Sequence, residues 1–230
     1  VANYKLIIPH VKKNEGGLTS NPKDTNPAKN PSPIKDPKTG LFYHTNKGII
    51  WGTWVAWSKK KGIAVDAQRW YKMSDADWES VMKTLFWDAI DGDKINSQAV
   101  AEILFEAVWG GSAKSLIVYL QTYLRQAGLN VKVDGLMGKN TYDALNEFTK
   151  NDKKHAQLIK DLSAKRLATL KTLPSWSWAG TAWTRRLNEI QEAGLKYITE
   201  NPVKTGGGIL GLLLLGVGAY YLSKGGLPKI

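Results

Sequence analysis

From residue 74 onward the chain alternates helix starts with helix stops, and this punctuation limits the fold more than any other feature. Ser74-Asp75-Ala76-Asp77 has the form of a capping box with Ser74 as N-cap. The helix behind it carries Val81, Leu85 and the pair Phe86-Trp87. A second helix begins near Ser97, repeats Val100, Ile103, Leu104 and Ala107 along one face, and stops at Gly110-Gly111. A third runs from about Ser112 to Ala127, with Leu116, Tyr119, Leu120 and Leu124 inward and Gly128 as its stop. Val133-Asp134-Gly135 is turn chemistry. Helices near 139–150, 153–172 and 180–200 follow, with Pro174 between the last two and Pro202 at the end. The expected class is mainly α.

The N-terminal segment repeats Tyr4, Ile7 and Val11 at helical spacing, with Leu6 and His10 beside them. It runs into Lys13-Asn14-Glu15-Gly16-Gly17, where two glycines are an expected helix stop. Glu15 therefore stands where a rigid element turns into a loop, a suitable place for a catalytic acid. The plain alternative is a solvated glutamate in a helix-ending turn. Residues 18–48 form a long polar connection holding Pro22, Pro27, Pro31, Pro33 and Pro37. Structureless connections of this length are usually functional or disordered. Trp51, Trp54 and Trp57 then recur every three residues, which suits one side of a helix. Such a stripe is usually core, although one member at a cleft would stack on a sugar ring.

The 230 residues suffice for one large domain or two small ones, and ten tryptophans with 43% hydrophobic residues argue for a real core. The net charge of +12 favours an anionic partner: nucleic acid, a membrane surface or a bacterial cell wall. Lys and Arg are spread along the chain and no zinc-finger, RNA-binding or basic-zipper pattern occurs, so no nucleic-acid partner is expected. No cysteine is present, which excludes disulfides and thiolate chemistry. The N-terminus lacks the apolar core of a secretory signal peptide.

Residues 205–223 contrast with everything before them. No charge lies between Lys204 and Lys224, and Ile209 to Tyr221 is almost wholly apolar. The length approaches the roughly 20 residues that span a bilayer, and glycine is common in membrane helices. A transmembrane-type helix is the expectation, with a buried core helix or a contact within a larger assembly as alternatives.

His10, His44 and His155 lie far apart with no metal-ligand spacing, and no cofactor is expected. Serine-nucleophile, phosphate-loop and dinucleotide motifs are absent. Carboxylate acid–base chemistry remains, with Glu15 as first candidate.

The order Glu15-Gly16-Gly17, Asn21-Pro22-Lys23-Asp24 and Thr45-Asn46-Lys47-Gly48-Ile49 resembles the N-terminal signature of glycoside hydrolase family 108. Leu85-Phe86-Trp87-Asp88, Gly92-Asp93-Lys94-Ile95 and Val100-Ala101-Glu102-Ile103-Leu104-Phe105-Glu106 are similar to that family's central helices. Leu120-Gln121, Val133-Asp134-Gly135-Leu136-Met137-Gly138 with Thr141, and Trp183-Thr184-Arg185-Arg186-Leu187 resemble its C-terminal part. The resemblance implies a lysozyme-like helical fold over 1–110 and a predicted peptidoglycan domain over 111–201; the hydrophobic segment, read from its own composition, takes 202–230. The resemblance also implies an N-acetylmuramidase that cuts the β-1,4 bond between N-acetylmuramic acid and N-acetylglucosamine in peptidoglycan glycan strands. It carries over Glu15 as the essential acid, and by likeness to the Glu–Asp–Thr arrangement of phage lysozymes, Asp24 and Thr45 as the groups holding the attacking water. The chain departs from the family in a connection longer by about sixteen residues between Asp24 and Thr45, and in Tyr43-His44 where the family has Gly-Gly. At Glu106 the family more often has Asp. The altered connection motivates a competing expectation, a wall-binding structural component of a phage tail or injection machine with little activity. A holin-like role for the apolar tail is weaker. The expected location is membrane-anchored or assembly-associated, facing the bacterial wall.

Overall fold

The structure, a computed structural model, describes residues 1–12, 16–23 and 29–202. Helices dominate these residues: α1 (Tyr4–Lys12), α2 (Trp51–Lys61), α3 (Ala67–Tyr71), α4 (Asp75–Met82), α5 (Gln98–Trp109), α6 (Ala113–Gln126), α7 (Lys139–Phe148), α8 (Asp152–Lys171) and α9 (Trp176–Glu200). A small hairpin, β1 (Thr45–Asn46) and β2 (Ile49–Ile50), precedes α2. The described residues form two compact units, Ile7–Phe86 and Val1–Leu6 with 87–202.

In the Ile7–Phe86 unit the hairpin is the organising element. Thr45 pairs with Ile50 and Asn46 with Ile49. The two linking residues, Lys47 and Gly48, both have positive φ, 46° and 74°. That is the mirror-image turn whose twist matches a hairpin, and glycine adopts it without steric cost. Side chains from α3 and α4 and backbone carbonyls hold the turn. Asn46 Nδ2 donates to the Trp70 carbonyl at 2.7 Å, and Trp78 Nε1 donates to the Lys47 carbonyl at 2.9 Å. Lys47 Nζ reaches the Met73 carbonyl at 3.0 Å. Ser74 caps α4 through Asp77 N–H at 3.1 Å, as its sequence requires.

The tryptophan stripe is core. Trp54, Trp57, Trp70 and Trp78 are all buried, and half-buried Trp51 meets Trp70 edge-on at 5.5 Å. Arg69 lies over Trp54 and Trp57, 5.9 and 5.5 Å from the ring centres, while its Nε donates to Asp77. The described part of the long connection is a folded ribbon, not a structureless loop. Ser32 N–H donates to the Tyr43 carbonyl at 2.7 Å, Tyr43 N–H to Ile34 at 2.9 Å, and Asp36 N–H to Leu41 at 2.8 Å. Pro33 and Pro37 lie between these bonded positions and Pro31 directly before them, where a missing N–H costs nothing.

The second unit is a helical cluster around α5, whose residues from Ala99 to Ala107 are all buried. α5 packs against α6, α8 and α9. Gly194 permits the close approach of α9, since a Cβ there would stand 2.5 Å from the Ala99 Cβ. The C-terminal end of α5 is closed by charge. Arg166 donates to the Glu106 carbonyl at 2.9 Å and to the Gly111 carbonyl at 2.8 Å, and Arg186 Nη2 meets Glu106 Oε2 at 2.6 Å. Burial pushes the Glu106 carboxyl upward, against the opposing pull of Arg186 and Arg166. The Trp-x-x-Arg segment thus supplies the ion-pair partner of Glu106. In α6, buried Gln121 closes the following turn, accepting N–H from Asp134 and Gly135 at 3.0 and 2.8 Å and donating to Leu136 O at 2.9 Å.

The mainly helical body is consistent with a lysozyme-like fold, but the expected transmembrane-type helix is not found. Among the described residues no helix is long and apolar enough to cross a membrane. The longest, α9, has 25 residues but carries Arg185, Arg186, Glu189, Glu192, Lys196 and Glu200. Such charges are too costly in hydrocarbon. The segment 205–223 lies outside the described residues.

Candidate active site

Of the three carried-over residues, Thr45 is described; Glu15 and Asp24 lie outside the described residues. Thr45 opens β1 and is bridged on its other side by Thr19, whose N–H donates to the Thr45 carbonyl at 3.0 Å. Its hydroxyl is 2.9 Å from His44 Nδ1, and His44 Nε2 is 3.1 Å from the backbone carbonyl of Asn21. His44 is buried, with its own N–H on the Thr19 carbonyl at 3.0 Å and its carbonyl taking Trp51 N–H at 2.9 Å. The ring is therefore held at both nitrogens and the backbone at both its polar groups.

The residues flanking the two undescribed carboxylates are tied to this hairpin. Before Glu15, Lys12 Nζ lies 3.1 Å from Asp75 and 3.3 Å from Glu79; Lys47 shares Asp75 at 3.2 Å. These two lysines hold the Asp75 carboxyl below the usual carboxylate range, Lys12 most strongly. After Glu15, the Gly17 carbonyl receives Lys47 N–H at 3.4 Å. Before Asp24, Asn21 makes an Asx turn to Lys23 N–H at 3.0 Å and gives its carbonyl to His44. Asp36, another carboxylate of the connection, is engaged in the ribbon. It accepts Lys38 N–H at 2.9 Å and Ser20 Oγ at 3.1 Å, and the Lys38 bond leads in lowering its pKa.

Residues 8–111 match the glycosyl hydrolase 108 family. The glycosyl hydrolase 108 match spans the hairpin, its flanking runs and α5, and it supports peptidoglycan hydrolysis in general as the activity of this segment. The fold has a solved counterpart in Brucella abortus SagA. The TM-score is 0.57 with 21% identity, over 87% of this chain and 98% of that one. No curated protein matches the chain. Among the described residues no group of three His, Asp or Glu side chains is arranged to hold a metal ion.

Two pairings escaped sequence reading. In the sequence His44 stands out only as an unspaced metal-ligand candidate and as part of the Tyr43-His44 departure from the family; its position directly before Thr45 is the signal for the pairing. The other is Ser97 Oγ, 2.7 Å from His155 Nε2 across 58 positions. This pair is a helix cap: Ser97 also accepts Val100 N–H at 3.2 Å, and burial pushes His155 down to about 4, leaving a neutral ring. The adjoining cavity of about 40 Å³ is too small for a sugar.

Proposed function

We propose that the chain is an N-acetylmuramidase acting on peptidoglycan glycan strands, with Glu15 as general acid and Asp24 and Thr45 holding the attacking water. The observation that carries this reading is that described residues flanking Glu15 and Asp24 are tied to the hairpin region that presents Thr45: Lys12 through the Asp75 carboxylate it shares with Lys47, Gly17 through its carbonyl on Lys47 N–H, and Asn21 through its carbonyl on His44. The family match to residues 8–111 supports the same chemistry.

Water attacks the anomeric carbon of N-acetylmuramic acid while the bond to the leaving oxygen breaks. Glu15 gives its proton to that oxygen, and Asp24 receives a proton from the water. Glu15 must keep its proton near neutral pH, which requires surroundings that raise its pKa. Direct attack requires the carboxyl groups about 6.5–9.5 Å apart, against about 5–5.5 Å for a covalent route. The net charge of +12 favours encounter with the anionic wall.

Mass spectrometry of muropeptides released from purified peptidoglycan tests the proposal. A new reducing end on N-acetylmuramic acid is expected. A reducing end on N-acetylglucosamine, or no release, would overturn it.

A further inference from the structure

We propose that His44 is a positioning residue that fixes the polarity of the Thr45 hydroxyl, taking its hydrogen so that its oxygen is left as an acceptor. This rests on the muramidase reading, in which Thr45 helps hold the attacking water.

The polarity follows from the partners. The Asn21 carbonyl can only accept, so His44 Nε2, 3.1 Å away, carries the hydrogen. When the imidazole is neutral it has one such hydrogen, and Nδ1 is left bare. Thr45 Oγ, 2.9 Å from Nδ1, must then donate. A threonine hydroxyl has one hydrogen and two lone pairs. With the hydrogen spent on the ring, the lone pairs remain for a hydrogen of water. Water held in that sense keeps its own lone pair for attack on the sugar, while its other hydrogen is available to a carboxylate.

The surroundings hold both residues in place. His44 is buried, its backbone N–H and carbonyl are bonded to Thr19 and Trp51, and Thr45 is fixed by its pairing with Thr19 and Ile50. With Gly-Gly before the threonine, as in the family, no side chain at that position would take the hydroxyl's hydrogen. Here His44 takes it. Tyr43 meanwhile packs against Tyr71 at 5.7 Å, which seats the ribbon on α3.

The test is a set of variants assayed on soluble glycan strands. His44→Phe is expected to lower kcat about 10²-fold with KM little changed, the scale of a misplaced reacting group. Thr45→Val should cost a similar factor, and His44→Phe should add nothing in that background. His44→Asn puts an amide oxygen where Nδ1 stands and should restore most of the rate. His44→Gln, whose amide reaches only the Nε2 position, should not. Multiplying losses in the double variant, or equal rates for the Asn and Gln variants, would overturn the proposal. Should His44→Phe unfold, the Asn and Gln pair still decides. Nitrogen-15 NMR of the ring supplies a readout independent of activity. Hydrogen on Nε2 and a bare Nδ1 whose resonance moves in Thr45→Val are expected. An active enzyme with the hydrogen on Nδ1 would overturn the His44 role alone. An inactive wild type with the expected tautomer would instead overturn the muramidase reading on which the role depends.

Discussion

Around Thr45 a buried histidine meets two neutral partners, whereas around Glu106 a buried carboxylate meets a guanidinium at 2.6 Å with a second guanidinium on its backbone. Both arrangements satisfy polar groups inside the protein, and they do different work. Neutral hydrogen bonds carry little desolvation cost and are strongly directional, so the hairpin arrangement orients a hydroxyl. A buried ion pair costs desolvation at both ends, and its removal from one side leaves an unpaired charge. The Glu106 arrangement thus ties α5, α8 and α9 into one unit. Function should be sensitive to the hairpin and its neighbours, and stability to the helix junction.

The sharpest break between the two regions is expected at Glu15, the proposed acid. Glu15→Gln keeps size and hydrogen bonding but cannot act as a carboxylic acid. Wall lysis should fall by about 10²–10⁴-fold with an unchanged urea midpoint. Near wild-type lysis by the purified variant would remove the functional half of the contrast. At the junction the opposite pattern is expected. Arg186→Met strands the Glu106 carboxyl and should cost about 3–5 kcal/mol in urea unfolding, with kcat per folded molecule unchanged. A loss of kcat at full stability would erase the distinction.

The Ser97–His155 cap sharpens the contrast through pH. The His155 pKa is depressed from 6.5 to about 4, so the unfolded chain binds that proton first. Its stabilisation is present above pH 6.5 and is lost as pH falls toward about 4, amounting to about 3 kcal/mol at most. Unfolding measured at pH 7 and pH 4.5 should show this loss, and His155→Gln should flatten it; an unaltered profile in the variant would assign the loss to other groups. The smallest effect belongs to the turn itself. Gly48→Ala places a Cβ at φ 74° and should cost about 1–2 kcal/mol. Activity of the folded variant should drop with it if the turn holds Thr45 in place, and an unchanged rate would show the turn to be dispensable.

Much of the helical pattern was legible. Ser74 and Ser97 cap as their sequence context requires, and the helices expected near 139–150, 153–172 and 180–200 occur at Lys139–Phe148, Asp152–Lys171 and Trp176–Glu200. These features depend on bonds within a few residues. The ribbon from Ser32 to Tyr43 was not legible, because its pairing joins residues across a proline-rich stretch with no strand alternation. The stripe Trp51, Trp54 and Trp57 was legible as one helix side, but which ring is buried depends on α3 and α4 packing against it.

The sequence by itself determined the caps, the helix faces and the family-like order of Glu15, Asp24 and Thr45. Each is encoded locally, by side-chain type and spacing. Only the tertiary structure decided that Arg186 answers Glu106 and that His44 stands between Thr45 and Asn21. A hydrogen bond or ion pair between distant residues leaves no periodicity in the chain. It exists only when folding brings a donor within about 3 Å of an acceptor and removes the water that would otherwise satisfy both.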